Sequence, residues 1–202
     1  MKISMTNPLI HLSGRIARFS AIAIALLMAC APPARADEKL WEALNRAGHF
    51  AIMRHALAPG TGDPANFQVK DCTTQRNLDD AGRAQARAIG EQFRARGITA
   101  AQVYSSQWCR CLETARLLGL GEVTELPPIN SFFQDFSRRE PQTEALRQWL
   151  SSRDLQAPLV LVTHQVNITA FTGVFPSSGE IVVVRRTADG FTTLGTIATD
   201  VP

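Results

Sequence analysis

Long apolar runs are missing from this 202-residue chain. The longest, residues 19–31, has 13 residues, whereas a bilayer-spanning helix needs about 20. The reading is therefore no stable membrane span. Cysteine is scarce, with four in all, and no Cys-x-x-Cys or His-x-x-x-His spacing occurs. That removes the usual ligand patterns of a zinc site, and neither a metal nor a cofactor is expected. No internal repeat, low-complexity tract or linker divides the chain.

A basic excess is also missing once the N-terminus is set aside. The whole chain has 21 Lys+Arg against 18 Asp+Glu. Four of the basic residues (Lys2, Arg15, Arg18, Arg35) and no acidic residue fall in the first 36, which leaves 17 against 18 and a formal charge of −1. Nothing in that balance suggests a nucleic-acid partner.

What the N-terminus does hold is a positive segment, the apolar run "FSAIAIALLMACA" and the small residues of "APPARA". This is the pattern of a signal peptide, residues 1–36, cleaved after Ala36 to leave one domain of residues 37–202. Acylation of Cys30 in a lipoprotein is the alternative. The expected location is outside the cytoplasm, most simply the periplasm. Three cysteines then meet an oxidising compartment, and Cys72 is expected to pair with Cys109 or Cys111.

Apolar periodicity places strands at 49–55, 101–106, 122–128 and 158–164 and helices at 79–97, 107–119, 140–152 and 166–173. Asp79 is placed to cap the first of these helices, Gly97 and Gly119 to end the first two, and Pro141 suits an opening turn. "EIVVVRRT" and "FTTLGTIAT", separated by "ADG", read as a hairpin. Alternating strands and helices followed by two strands predict an α/β fold with a largely parallel sheet and an antiparallel C-terminal edge.

Open α/β sheets bind ligands beyond the carboxyl ends of their strands. In this chain the first strand ends in Arg54 and His55, and the second in Ser105 and Ser106, with Arg110 soon after. The "LVLVT" strand ends in His164. Two imidazoles and two guanidiniums on one rim suit phosphoryl transfer: arginine forks pair with phosphate oxygens, and an imidazole can carry the phosphoryl group. Each residue also has a structural reading. A strand-end histidine can simply close the core. Arg110, which opposes its helix dipole, can sit beside an anion or pair with Glu113.

At this point four segments are recognisable. "IMRHA" resembles the Arg-His-Gly signature of the histidine phosphatase (phosphoglycerate mutase-like) superfamily, and "RNLDDAGRAQA" (76–86) its Leu-Ser/Thr-x-x-Gly-x-x-Gln-Ala helix start. "VYSSQWCRCLETA" (103–115) resembles its Ser-Ser-x-x-x-Arg-x-x-x-Thr-Ala segment, and "LVLVTHQVNI" its second-histidine strand. All four occur in the family's order. The resemblance implies a three-layer α/β/α sandwich, with His55 as nucleophile, Arg54 and Arg110 as phosphate ligands and His164 as a further phosphate contact. It implies a metal-independent phosphatase acting on a small phosphorylated substrate, with a cell-envelope sugar phosphate as one candidate. A phosphate-binding protein and a phosphomutase are the alternatives.

The chain departs from the family pattern at three places. Ala56 stands where glycine is usual, Asp79 replaces the Ser/Thr cap, and Gln165 follows His164 where one branch carries Asp. The general acid is therefore sought in the loop after the third strand, where Asp135 is the candidate; Glu140, and Asp63 in the loop after the first strand, are reserves. Loops 56–77 and 129–140 are expected to wall the pocket. Phe67, Lys70, Phe132, Phe133, Arg138 and Arg139 would make its entrance partly apolar and partly basic.

Overall fold

The computed structural model describes residue 1 and residues 34–199. Residues 2–33 of the expected signal peptide, Cys30 among them, lie outside the described residues. The chain divides into two compact units, Met1–Arg35 and Ala36–Pro202. The sheet and every candidate site residue belong to the second.

Helix α1 (Ala34–Leu44) comes first, then strand β1 (His49–Arg54), helix α2 (Asp80–Ala95), strand β2 (Gln102–Ser105) and helix α3 (Cys109–Leu118). They are followed by β3 (Val123–Glu125), α4 (Arg139–Ser151), β4 (Leu159–Thr163), α5 (Gln165–Thr172), β5 (Ile181–Thr187) and β6 (Gly190–Ile197). The six strands form one sheet in the order β3-β2-β4-β1-β5-β6. β1 to β4 run parallel, while β5 pairs antiparallel with β1, and β6 antiparallel with β5.

The expected α/β sandwich with an antiparallel C-terminal edge is the observed fold. Side-chain alternation along β1 divides its core. Ala51 and Met53 face a cluster with Trp41, Ile89, Phe93 and Leu118 on one side of the sheet. Phe50 and Ile52 face Leu146, Leu150, Ile168 and Phe171 on the other. Burying each such large side chain contributes about 1.5–3 kcal/mol.

Local chemistry sets the boundaries. Asp79 accepts a hydrogen bond from the Gly82 N–H at 2.8 Å and caps α2 as expected. A Cβ at Gly82 would lie 1.9 Å from the Leu57 carbonyl oxygen, and one at Gly90 would lie 2.1 Å from that of Leu118. Only glycine therefore lets α2 approach both the loop after β1 and helix α3. β3 is shorter than its expected span because Pro127 and Pro128 lack ladder donors and start a 3-10 turn, Pro127–Ile129. Helix α1 was not anticipated; it packs Trp41 edge-on against Phe93, with ring centroids 5.0 Å apart.

Candidate active site

Because β1, β2 and β4 run parallel, their carboxyl ends lie on one edge of the sheet. There Arg54, His55, Arg110 and His164 line one cavity of about 290 Å3, together with Asp63, Arg76 and Trp108. The four strand-end and helix-start residues named from the sequence are thus brought together. His49, at the opposite end of β1, is not among them.

The His55 ring is fixed at both nitrogens. Its Nδ1 lies 2.7 Å from the Ala56 carbonyl oxygen, which can only accept, so Nδ1 carries the proton. Nε2 is then unprotonated, and its lone pair accepts from Arg110 Nε at 3.2 Å. Burial first, and the Arg110 charge second, push the His55 pKa well below its ordinary value, so the imidazole is neutral. His164 is buried and neutral for the same two reasons. Its Nε2 is 2.8 Å from Ser106 Oγ, and its ring stands edge-on to His55 with centroids 5.6 Å apart.

Arg110 is buried in the first turn of α3 and sits against a carboxylate. Asp63 Oδ1 accepts from Nη1 at 2.6 Å and Oδ2 from Nη2 at 3.1 Å. The anion that Arg110's position against the helix dipole called for is the protein's own, and the expected alternative partner Glu113 instead pairs with Arg83 at 2.7 Å. Asp63 also accepts from the Arg76 backbone N–H at 3.1 Å and from Trp108 Nε1 at 3.0 Å. Burial raises the Asp63 carboxyl, but these donors, Arg110 foremost, outweigh it and hold it below its ordinary value.

Arg76, which opens the "RNLDDAGRAQA" segment, also reaches the cavity. Its Nε donates to Gly62 O at 2.9 Å and its Nη1 to Ala58 O, so the guanidinium braces the loop that carries Asp63. Burial and the Arg110 charge lower its pKa to about 10. Arg54 gives Nη1 to Pro176 O at 3.1 Å, and its buried Nε meets no acceptor among the described residues. That donor is open to a ligand.

A Cys72–Cys109 disulfide ties the Arg76 loop to the residue before Arg110, which selects one of the two expected pairings; Cys111 is free and buried. Gln75 reinforces the tie, accepting from the Cys109 N–H at 2.9 Å.

Asp135 is not brought to the cavity. Its exposed carboxylate accepts from the Ser137 N–H at 3.2 Å and the Ser137 hydroxyl at 2.5 Å, capping the turn Phe136–Arg138. Glu140 is exposed and pairs with Arg139 at 3.8 Å. Of the three acids named from the sequence, Asp63 alone lines the cavity, and its acceptor positions are filled. The entrance also differs from its expected character. Lys70, Arg138 and Arg139 are exposed and away from the cavity, Phe132 is buried, and Phe67 stacks on Trp108 at 4.9 Å. Phe133 remains at the rim, joined by Phe175.

Ala56 fits where glycine was expected. No described residue other than glycine has a positive φ, so Ala56 needs no glycine backbone. Its methyl group packs with Ala58, Leu78 and Ala86. Its N–H donates to Thr114 Oγ1 at 3.0 Å, tying the end of β1 to α3.

Residues 50–130 match the family model described as histidine phosphatase superfamily (branch 1). No curated protein matches the chain. Among solved structures, the protein histidine phosphatase SixA, complexed with tungstate, superposes with a TM-score of 0.52 at 17% identity, over 74% of this chain and 96% of that one. The mycobacterial glucosyl-3-phosphoglycerate phosphatase Rv2419c gives 0.53 at 15% identity, over 77% and 98%. The phosphoserine phosphatase of Entamoeba histolytica, in complex with 3-phosphoglyceric acid, gives 0.56 at 13% identity, over 75% and 98%. At such identities the superpositions speak for the fold, and the family model, which runs from β1 past α3, speaks for the segment bearing Arg54, His55 and Arg110. The chain therefore shares its fold with these phosphatases, and its residues 50–130 resemble the histidine phosphatase superfamily model.

Proposed function

We propose that this protein is an exported, metal-independent phosphomonoesterase that works through a phosphohistidine on His55. The observation that carries the proposal is the fixed tautomer of His55. With Nδ1–H held by Ala56 O and Nε2 unprotonated beside Arg110, a nucleophilic lone pair sits 3.2 Å from a guanidinium donor. Phosphoryl transfer asks chiefly for that juxtaposition of nucleophile and positive charge.

In the first step Nε2 attacks phosphorus and the bond to the leaving oxygen breaks. As the Nε2 lone pair turns to phosphorus, the Arg110 Nε–H passes from His55 to a phosphoryl oxygen, Arg54 Nε takes another, and His164 adds a contact from the facing ring. In the second step water attacks the phosphohistidine, releasing inorganic phosphate and restoring neutral His55. The positive charge on the equatorial oxygens comes from arginine side chains, so the chemistry calls for no metal ion. No uncommitted carboxyl group lines the cavity among the described residues. The leaving oxygen therefore takes its proton from water, and esters of acidic alcohols are the better substrates.

That same lack of a free acid also favours a second reading, a protein that binds phosphate without turning it over. The purified protein should hydrolyse an aryl phosphate in excess chelator, be inhibited by vanadate, and lose turnover in His55→Ala. Vanadate binding without turnover would establish the binding protein instead, and loss of activity on chelation would refute the metal-free mechanism. Export to the periplasm rests on the N-terminal sequence and is tested by recovering the protein, cut after Ala36, from a periplasmic extract.

A further inference from the structure

The charges of the cavity restrict which ester it can take. Around the two neutral histidines stand three guanidiniums, Arg54, Arg76 and Arg110, and one carboxylate, Asp63. Their formal sum is +2, which the dianion of a single phosphomonoester balances. The donors are largely committed as well: Arg110 to Asp63 and His55, and Arg76 to the backbone of Gly62 and Ala58. Among the described residues the rest of the wall is Thr61, Trp108, Ser131, Phe133, Gln134, Gln165 and Phe175 with a valine and two glycines, and none of these is charged. The basic residues of the neighbouring loops, Lys70, Arg138 and Arg139, do not line it.

Two large aromatics stay exposed at this wall, Phe133 at 45% and Phe175 at 74%. They come from different segments, the loop after β3 and the loop before β5. A ring face packs against a planar group or a C–H-rich face, and gains nothing from an anion. A carboxylate placed among these groups would lose water without meeting a cation, whereas an amide or hydroxyl could pair with Gln134 or Gln165.

We propose that this site selects phosphomonoesters whose leaving group carries no negative charge and presents a flat or C–H-rich face to Phe133 and Phe175. The selection rests on the phosphatase reading above and adds a substrate class to it. The phosphate end spends all the positive charge, and the aromatic, amide-bearing end takes a neutral group.

A matched pair of esters tests this: 4-carbamoylphenyl phosphate and 4-carboxyphenyl phosphate, alike in shape and differing in one charge, with each kcat/KM taken relative to the line that uncharged aryl esters define against phenol acidity. At fixed ionic strength near pH 7.5, kcat/KM for the carbamoyl ester is expected to exceed that for the carboxylate by about tenfold, the scale of one missing charged hydrogen bond. Gln134→Arg should close most of that gap by improving the carboxylate ester. Phe175→Ala should raise KM for the carbamoyl ester more than it lowers kcat. Turnover of both esters with equal kcat/KM, or a preference for the carboxylate, overturns the selection and leaves the phosphatase standing. Turnover of neither overturns both.

Discussion

Asp63 and Arg110 form a bidentate ion pair whose side chains are only 7% and 3% exposed, with oxygen–nitrogen distances of 2.6 and 3.1 Å. The pair aims the guanidinium so that its third donor, Nε, is left for His55. Removing the carboxylate would strand a buried cation, which costs about 3–5 kcal/mol. Asp63→Ala should therefore lower stability by that amount and reduce kcat/KM on an aryl phosphate at least tenfold, with Asp63→Asn intermediate. Denaturant unfolding and steady-state rates check it; an Asp63→Ala protein of unchanged stability and rate would contradict the positioning role. Because the carboxyl is held below its ordinary value, its stabilisation is present above about pH 4 and is lost as pH falls through the lower folded value.

The Cys72–Cys109 disulfide, spanning 37 residues, fastens the loop bearing Asp63 and Arg76 to the helix bearing Arg110. A cross-link over that length stabilises by about 4 kcal/mol in the chain-entropy model. Cys72→Ser, or full reduction, should lower stability on that scale and raise KM more than it lowers kcat, since Arg110 and the loop whose Asp63 aims it lose their common anchor. The free Cys111, whose thiol pKa burial pushes up to about 12, is expected to stay unreactive to thiol reagents in the native protein. An unchanged KM after reduction would show that packing alone holds the loop.

Both site histidines are neutral when folded, with pKa values well below those of the unfolded chain. Between the unfolded value of about 6.5 and the lower folded value, the unfolded chain binds more protons. Stability should therefore be full above about pH 7 and fall as pH drops through that window, by about 1.4 kcal/mol per pH unit for each histidine. Urea midpoints from pH 5 to 8 measure this, and a protein that gains stability on acidification would contradict it. By the same sign, loss of kcat/KM through protonation of His55 should set in well below pH 6.5.

Asp135 caps a turn outside the cavity, so Asp135→Asn should change aryl and alkyl phosphate hydrolysis by the same small factor. Rates across a series of aryl esters should instead fall steeply as the leaving phenol becomes less acidic, in wild type and variant alike. A selective loss on alkyl esters in Asp135→Asn of tenfold or more would return Asp135 to the role of acid.

Strand ends and local caps were readable because period-2 and period-3.6 patterns are local. The Arg54-His55 and His164 strand ends, the Asp79 cap and the Gly119 stop each stand within a few residues of the pattern that defines them. The α/β order of elements then put three strand ends on one rim without further information. The Asp63–Arg110 pair was not readable. It joins residues 47 apart across a loop with no periodicity, and the local candidate Glu113 was taken by Arg83 on the neighbouring helix. Arg76 was hidden for the same reason, since its bonds go to backbone oxygens that no sequence pattern marks. Ala56 departs from a family glycine, and nothing local in the sequence says how the backbone accommodates it. The structure shows a non-positive φ and a small-residue cluster that receives its methyl group. Helix α1 was missed because its first residues were read as the end of a leader.

The most direct test is to trap the phosphorylated enzyme. Purified protein mixed with an aryl phosphate, quenched in alkali within milliseconds and digested, should yield a peptide carrying one acid-labile phosphate on His55, at Nε2. The label should vanish in His55→Ala and persist longer in His164→Ala. Steady turnover with no phosphate on His55 at any quench time, or phosphate on another residue, would contradict nucleophilic catalysis by His55.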